Sequence, residues 1–406
     1  MASEFLIRKE CFYSEFQYIY SELYRKKDEH FDRLLQIMQE AYQARSAALR
    51  RKDREALCNM NWYRSARAQD RLVRMHEMQE TLVLSGNFED PAVLNQIVEK
   101  LLSAANRGAE LLSLCGIGQL FCIPGTEWQN KTKVHILLRI LRIASEIVCP
   151  AMLLYGPVSG ETEDYTQYFG TPEKPELHLL SDPTLLATIW QTIATQDTRL
   201  LSHYVNVISH LPENRVFYRT RDEEQGIYWD LDFNFLGTLR MDEESHKKFL
   251  QSYFTGKFED STARAHRVRR KENGEWGVRG SIEEFSGDPR IANLVNALFI
   301  QMSGIPVPAQ QKDLAKLLRI RKESHVFDCG ADLWTPGTDN LKTIGIGRYK
   351  DGAKFYGLYN FSGEEQIFSL HDPGHYRNLL TGKEVDIVNL VRLKPYAYAW
   401  ISEARA

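Results

Sequence analysis

The first fifth of the chain lacks the residues that break helices. No proline occurs before Pro91, and the first glycine is Gly86. Since these two residues disfavour helix interiors most strongly, their absence permits long helices there. Aromatic and aliphatic residues recur at helical spacing at Phe12, Phe16, Ile19, Tyr20 and Leu23, then at Phe31, Leu34, Leu35, Met38 and Tyr42. The pattern predicts a charged module of two or three packed helices over residues 1–80, whose aromatic stripes form either a core or a partner-binding face.

Cysteine is scarce, and the chain has no long apolar run. The six cysteines (Cys11, Cys58, Cys115, Cys122, Cys149 and Cys329) form no C-x-x-C pair. This spacing gives no support for a zinc site and favours a reduced, cytoplasmic protein. No stretch of 18 apolar residues exists, and the first residues do not resemble a signal peptide. We therefore expect a cytoplasmic location, no metal, no cofactor and no membrane partner.

The chain also has no large excess of positive or negative charge. The 406 residues carry a net charge of −3, and 43% of them are hydrophobic. A protein of this length holds two or three domains, and its weak net charge argues against a nucleic-acid partner. One local exception is the basic run Arg264–Lys271. We interpret it as a solvated hairpin, with binding of an anionic ligand or nucleic acid as the alternative.

Apolar runs alternate with amphipathic helical patterns over residues 89–310. The runs lie at 109–115, 151–155, 177–180, 215–219 and 304–307, and the helical patterns include Val134–Ile147 and Pro183–His210. This alternation predicts a parallel sheet covered by helices. After residue 325, short strand-like runs separated by Gly, Asp and Pro predict an antiparallel β-sandwich. We therefore predict three domains, at 1–80, 81–324 and 325–406.

Specific motifs resemble the amylosucrase branch of the α-amylase superfamily, glycoside hydrolase family thirteen. One is the helix that begins at Asp90-Pro-Ala-Val and ends at Ala-Asn-Arg-Gly108, followed by a strand ending in Ser113-Leu-Cys115. Three more follow in order near the end: Asn360-Phe-Ser, Tyr376-Arg-Asn-Leu-Leu-Thr-Gly, and Leu393-Lys-Pro-Tyr. The resemblance implies a helical N-terminal domain, a (β/α)₈ barrel and a C-terminal β-domain.

The resemblance also implies where glycosidase carboxylates would stand, and two positions carry other residues. Cys115 occupies the position of the nucleophile, and Pro157 that of the acid/base. Retaining cleavage of a glycosidic bond needs two carboxylates about 5 Å apart. Glu161 and Glu163 lie a few residues beyond Pro157 and are the alternative source of an acid. The Cys115 thiol is interpreted as a small buried hydrophobe, since no neighbouring base is placed to activate it.

A third part of the implied site follows the run at 215–219. Asp222 matches the family's transition-state stabiliser, Arg221 replaces a sugar-binding histidine, and Arg219 matches a preceding arginine. These three residues are the predicted substrate-binding set. The alternative is that Asp222 serves only as the ion-pair partner of Arg219 or Arg221.

The sequence has room for only part of a barrel. Residues 89–310 hold five strand candidates, matching the family's fourth to eighth, and one more candidate, Thr81-Leu-Val-Leu-Ser, precedes them. A complete eight-stranded barrel needs about 200–250 residues. We predict an incomplete (β/α)₈ barrel whose open edges are covered by the N-terminal helices or by a second copy of the chain.

These readings lead to competing functions. The favoured one is a degenerate amylosucrase-like protein in carbohydrate metabolism, which binds an oligosaccharide or α-glucan or serves as a regulatory subunit. An active glucosyltransferase or hydrolase on sucrose or α-glucans is the alternative, using Asp222 with a displaced or partner-supplied carboxylate. A third class is an interaction module built on the N-terminal helices. A homo-oligomer or another protein partner is compatible with all three.

Overall fold

The structure, a computed structural model, describes residues 2–24, 28–122, 129, 131–158, 162–211, 215–221, 223–270, 274–307, 314–337 and 340–403. The chain divides into two compact units. Unit 1 comprises Met1–Tyr63, Asp70–Val158 and Thr166–Ser181, and unit 2 comprises Arg64–Gln69, Ser159–Tyr165 and Asp182–Ala406. The domain limits predicted at residues 80 and 324 stay predictions.

Helices dominate up to residue 323, and strands dominate after it. The helices are α1 Ala2–Tyr24, α2 Glu29–Ala44, α3 Ala47–Cys58, α4 Gln69–Glu77, α5 Pro91–Arg107, α6 Lys131–Val148, α7 Thr162–Tyr165, α8 Pro183–Thr195, α9 Arg199–Ser209, α10 Phe233–Thr238, α11 Glu243–Phe254, α12 Ile282–Ser286, α13 Pro289–Gln301 and α14 Ala315–Glu323. The strands are β1 Glu80–Val83, β2 Leu111–Cys115, β3 Leu153–Gly156, β4 Leu179–Leu180, β5 Val216–Thr220, β6 His266–Arg269, β7 Trp276–Arg279, β8 Ile305–Val307, β9 Asp332–Trp334, β10 Thr343–Lys350, β11 Ala353–Asn360, β12 Gln366–Ser369, β13 Gly374–Asn378, β14 Glu384–Ile387, β15 Leu390–Leu393 and β16 Tyr398–Glu403.

Unit 1 is built on four parallel strands in the order β1-β2-β3-β4. The strand candidate at Thr81 is confirmed as β1, which pairs with β2 so that Thr81 stands opposite Ser113. Every residue of β2 up to Leu114 is buried, as expected for a parallel strand covered on both faces. Helix α5 ends at Gly108, whose φ of 108° is a left-handed conformation that favours glycine and turns the chain into β2.

The N-terminal helices of unit 1 pack onto its helical layer. Helix α1 lies against α6, and α2 lies against α5. A buried ion pair between Arg45 and Asp53 joins α2 to α3, with Nε 2.6 Å from Oδ2. Asp53 also accepts from the backbone N–H of Ala151, just before β3. The predicted helical module is therefore confirmed and its aromatic stripes are largely core, whereas coverage of an open strand edge by a second copy stays a prediction.

In unit 2, β5 and β8 form a parallel pair in which Arg219 stands opposite Pro306. Proline lacks the N–H that a central strand would donate, so Pro306 marks β8 as an edge strand. Its carbonyl accepts a hydrogen bond from Gln69 Nε2 at 3.1 Å. The antiparallel hairpin β6–β7 confirms the hairpin predicted for the basic run that begins at Arg264.

One predicted helix is wrong. The pattern over Pro183–His210 predicted a single helix, but the structure has α8 and α9 there. Gln196 ends α8 with a φ of 52°, and Asp197 then accepts from the backbone N–H of Arg199 to start α9. Both segments keep apolar residues at helical spacing across the break, so periodicity alone did not reveal the turn.

The C-terminal part of unit 2 is an antiparallel β-sandwich. Its larger sheet has the order β14-β13-β16-β11-β10-β9, and β12 pairs with β15 in a second sheet. Their inner faces share a core that includes Leu358, Phe368, Tyr376 and Leu393. Gly345 in β10 leaves room for the Phe368 ring, because an added Cβ would stand 2.5 Å from it. With the parallel strands and covering helices before it, this confirms the predicted fold class, an incomplete (β/α) barrel with a C-terminal β-sandwich.

Candidate functional site

The ends of β2 and β3 in unit 1 carry the two positions implied for nucleophile and acid/base. Ser113 in β2 pairs with Tyr155 in β3, so Cys115 and Pro157, each two residues further along, lie at the same end of these two parallel strands. Cys115 is partly exposed, and its Sγ lies 3.7 Å from Ser113 Oγ. Pro157 has no ionisable side chain. Cys115 is thus the last residue of β2 and Pro157 directly follows β3, and their assignment to the two catalytic positions stays a prediction.

Arg219 in unit 2 is the centre of a fully buried polar network. Its Nε lies 2.7 Å from Asp182 Oδ2, and its Nη2 donates to Tyr204 Oη at 2.9 Å. Asp182 also accepts from the hydroxyls of Tyr165 and Tyr204. Burial by itself would lower the pKa of Arg219, but Tyr204 and Asp182 outweigh it and raise that pKa, so the guanidinium stays charged. Burial raises the pKa of both tyrosines well above the usual value, so they remain neutral donors.

Arg221 follows β5 and forms a second buried ion pair. Its Nε lies 3.0 Å from both carboxylate oxygens of Glu223, and its Nη1 donates to Asn296 Oδ1 at 2.5 Å. Glu223 also accepts from the indole N–H of Trp190 at 3.3 Å. The Arg221 side chain is only 7% exposed. The contacts that the structure gives to Arg219 and Arg221 are thus with protein groups, and their predicted contact with a sugar stays a prediction.

The structure describes some of the remaining candidate residues and leaves others out. Asp222 and Glu161 lie outside the described residues, as does the side chain of Glu163. Aromatic rings can stack on sugars. Of the tryptophans Trp190, Trp229 and Trp276, the first two are fully buried and belong to the core. Trp276 is 43% exposed, with the Arg267 guanidinium 4.3 Å from its ring centre. Of the set, Trp276 presents the largest accessible ring.

A wide groove of about 1360 Å³, lined about equally by polar and apolar surface, opens on unit 2. Its walls come from the segment after α11, from α12 and from the first turns of α13, and include Thr262, Arg264, His266, Glu284, Asp288 and Asn293. Asn296 also lines it, and its side chain accepts a hydrogen bond from Arg221, the residue that follows β5. Carboxyl ends of barrel strands are where enzymes of this fold bind ligands.

Two features of unit 2 escaped the sequence interpretation. Among the described residues, Asp182 is an acidic partner of Arg219 that the sequence interpretation did not name. The available signal was Asp182-Pro183, which marks a helix start, and Asp182 does cap α8 by accepting from the backbone N–H of Leu185. The groove was missed because it forms only where the segment after α11 folds against α12 and α13, and the sequence pattern does not show how these segments pack.

Two further properties bear on the chemistry. Among the described residues, no group of three or more His, Cys, Asp or Glu side chains is arranged to hold a metal ion. Within the same residues, no helix is long and apolar enough to cross a membrane.

Comparison with known proteins gives matches in sequence and in structure. Residues 346–401, in the β-sandwich, match the family described as Beta-galactosidase C-terminal domain. Glucosylglycerate phosphorylase of Escherichia coli (strain K12) is 23% identical over 141 residues, which are 35% of this chain and 25% of that protein. The enzyme of the same name from Spirochaeta thermophila (strain ATCC 700085 / DSM 6578 / Z-1203) is 25% identical over 122 residues, 30% of this chain and 20% of that protein. The chain thus matches about a quarter of the length of these curated relatives.

Solved structures extend the likeness over most of the chain. Sucrose 6F-phosphate phosphorylase from Thermoanaerobacter thermosaccharolyticum aligns with a TM-score of 0.52 and 14% identity, covering 74% of this chain and 64% of that one. AmyP in complex with maltose aligns with a TM-score of 0.50 and 11% identity, covering 78% and 69%. At sequence identities this low, the structural alignments establish a shared fold and nothing more specific. The predicted resemblance is therefore confirmed: this chain resembles the carbohydrate-active enzymes of the α-amylase family and shares their fold.

Proposed function

We propose that this protein binds an oligosaccharide or α-glucan and does not cleave it by the retaining glycosidase mechanism. The observation that carries the second half is the pair Cys115 and Pro157 at the ends of adjacent strands in unit 1. Neither side chain supplies a carboxylate, and removing one member of a catalytic set typically lowers the rate by several orders of magnitude. Binding of substrate needs neither group, so recognition survives their loss.

The groove of unit 2 supports the first half of the proposal. Its volume exceeds that of a usual small-molecule pocket, which is about 300–1,000 Å³. Its walls offer carboxylate, amide, hydroxyl and guanidinium groups, the donors and acceptors that suit a neutral ligand rich in hydroxyls. The similar structures include an enzyme bound to maltose, and the similar sequences are named as phosphorylases of a glucosyl compound. A sugar-binding protein or regulatory subunit in carbohydrate metabolism fits both the groove and these similarities.

Calorimetry with maltose, maltotriose, sucrose and glucosylglycerate tests the binding. Asn293 is exposed on the groove, and Asn293→Ala removes one amide. We expect roughly a 3- to 10-fold weaker affinity, because a neutral hydrogen bond is worth about 0.5–1.5 kcal/mol. Asn206→Ala, at an exposed position on α9 outside the groove, is the matched control and should bind normally. An equal loss of sugar affinity in both variants contradicts the proposal, and so does the absence of binding to all four sugars.

The competing function is an active enzyme that uses Asp222 with a carboxylate from elsewhere, such as Glu161 or Glu163. Incubating the chain with the same sugars, with and without inorganic phosphate, and measuring released glucose or fructose, and glucose 1-phosphate where phosphate is present, distinguishes the two. Sugar binding without product supports the non-catalytic binder. Product that disappears in Asp222→Asn establishes the enzyme instead.

A further inference from the structure

A short segment of the chain concentrates positive charge. Residues 45–78 contain nine Lys and Arg against four Asp and Glu, a net charge of +5 in a chain whose total is −3. Part of this charge surrounds a hollow of about 230 Å³ in unit 1. The hollow, which we call the basic cleft, is lined by Lys52, Glu55, Arg71, Arg74, Met75, Met78 and Glu110.

Glu110 holds two cations of the basic cleft in place. One carboxylate oxygen lies 2.6 Å from Lys52 Nζ on α3, and the other lies 2.8 Å from Arg71 Nη2 on α4. The Glu110 side chain is 17% exposed, whereas those of Lys52 and Arg71 are 41% and 39% exposed. Burial alone would raise the pKa of Glu110, but the two cations outweigh it and lower that pKa. The carboxylate therefore lies beneath its two partners and stays ionised.

The outer side of the basic cleft retains unused donors. An ammonium has three N–H groups and a guanidinium has five, and the described bonds of Lys52 and Arg71 to Glu110 use one of each. The Arg71 guanidinium is also stacked 4.1 Å from the ring centre of Trp62, which limits its freedom before any ligand arrives. Binding to a group already positioned in this way loses less conformational entropy.

Arg74 completes the arrangement. It lies three residues after Arg71 on α4, so both project from one side of the helix, and it is exposed. Counting Glu55 and Glu110 against the three cations, the basic cleft carries a net charge of +1. A monovalent ligand would engage only part of this donor set, whereas a phosphate monoester carries about −1.5 to −2 charges and three acceptor oxygens.

We propose that the basic cleft binds a phosphate group, with Lys52, Arg71 and Arg74 each donating to a phosphate oxygen. Arginine pairs with phosphate through parallel N–H bonds, and lysine adds a point charge. The small volume suits inorganic phosphate or the monoester of a small molecule better than a nucleotide. Met75 and Met78 form an adaptable apolar side against which the organic part of a monoester packs. This site belongs to unit 1 and is independent of the groove proposed for sugars.

Calorimetry and thermal unfolding of the full chain, at constant ionic strength, test the site with inorganic phosphate and with glucose 6-phosphate. We expect at least one of the two probes to bind. Glucose carries no phosphate, so any binding of glucose should be the same in wild type and in variants of the basic cleft. Tighter binding of glucose 6-phosphate identifies a monoester site, and equal or tighter binding of phosphate identifies a free-phosphate site.

Arg74→Gln should lower the affinity for the probe that binds by roughly tenfold or more, since a hydrogen bond to a charged group is worth about 1.5–3 kcal/mol. Arg51→Gln is the control, because Arg51 is an exposed arginine of α3 that does not line the basic cleft. If Arg51→Gln weakens binding equally, the effect is general charge attraction and the proposal is wrong. The absence of binding by either probe overturns it as well.

Discussion

Replacing Arg219 with methionine tests how much of unit 2 depends on a single buried charge pair. The guanidinium and the Asp182 carboxylate are 1% and 0% exposed. In Arg219→Met the carboxylate would keep the Tyr165 and Tyr204 hydroxyls and the Leu185 N–H, but no positive charge. Methionine fills much of the vacated volume, so the dominant effect is an unpaired buried charge and not a cavity.

The expected cost is about 3–5 kcal/mol, the usual result of removing one partner of a buried ion pair. In the double variant Arg219→Met/Asp182→Asn the buried charge is also gone, and asparagine still caps α8. We therefore expect the double variant to be more stable than Arg219→Met by about 1–2 kcal/mol. If the stability losses of the two single substitutions simply added, the double variant would instead be the less stable of the two. Arg199→Met is the matched control, since the Arg199 side chain of that Arg–Asp pair is 43% exposed and such a pair is worth about 1 kcal/mol or less.

Amide hydrogen exchange of β5 and α8 measures the local free energy of opening, and urea unfolding followed by circular dichroism measures the whole chain. Both should rank the variants as Arg199→Met, then the double variant, then Arg219→Met as the least stable. A loss below about 1 kcal/mol in Arg219→Met would show that the neutral donors suffice for Asp182. A double variant less stable than Arg219→Met would equally refute the reasoning.

Three other predictions follow from the fold. Gly357→Ala should destabilise the chain by about 2–3 kcal/mol in urea unfolding, because an added Cβ overlaps the buried side chain of Gln301, whereas Gly363→Ala meets only ordinary contacts and should be nearly neutral. Burial lowers the pKa of His246 below 6.5, so the unfolded chain takes up the proton first as the pH falls; stability should decline below about pH 6.5, and His246→Gln should flatten that decline. Sedimentation at micromolar concentration should show a dimer or larger species if a second copy covers the open barrel edge, and a strict monomer would contradict this.

Several parts of the fold were predictable because local chemistry decides them. Helix α5 begins at Asp90-Pro91 and ends at a left-handed Gly108, and both signals are visible in the sequence. The strands β2, β5 and β8 coincide with apolar runs. The break at Gln196 was not predictable in this way, because a glutamine in a left-handed conformation carries no sequence signature and is maintained by its surroundings.

The candidate sites divide along the same line. From the sequence, the family resemblance implies that Cys115 and Pro157 occupy the positions of two glycosidase carboxylates, and this assignment stays a prediction. The fold, in contrast, is needed to see that Asp182 neutralises Arg219, that Glu223 and Asn296 bind Arg221, and that Lys52 and Arg71 meet at Glu110. These partners lie up to 75 residues apart, and the path of the chain, not its local composition, brings them within hydrogen-bonding distance.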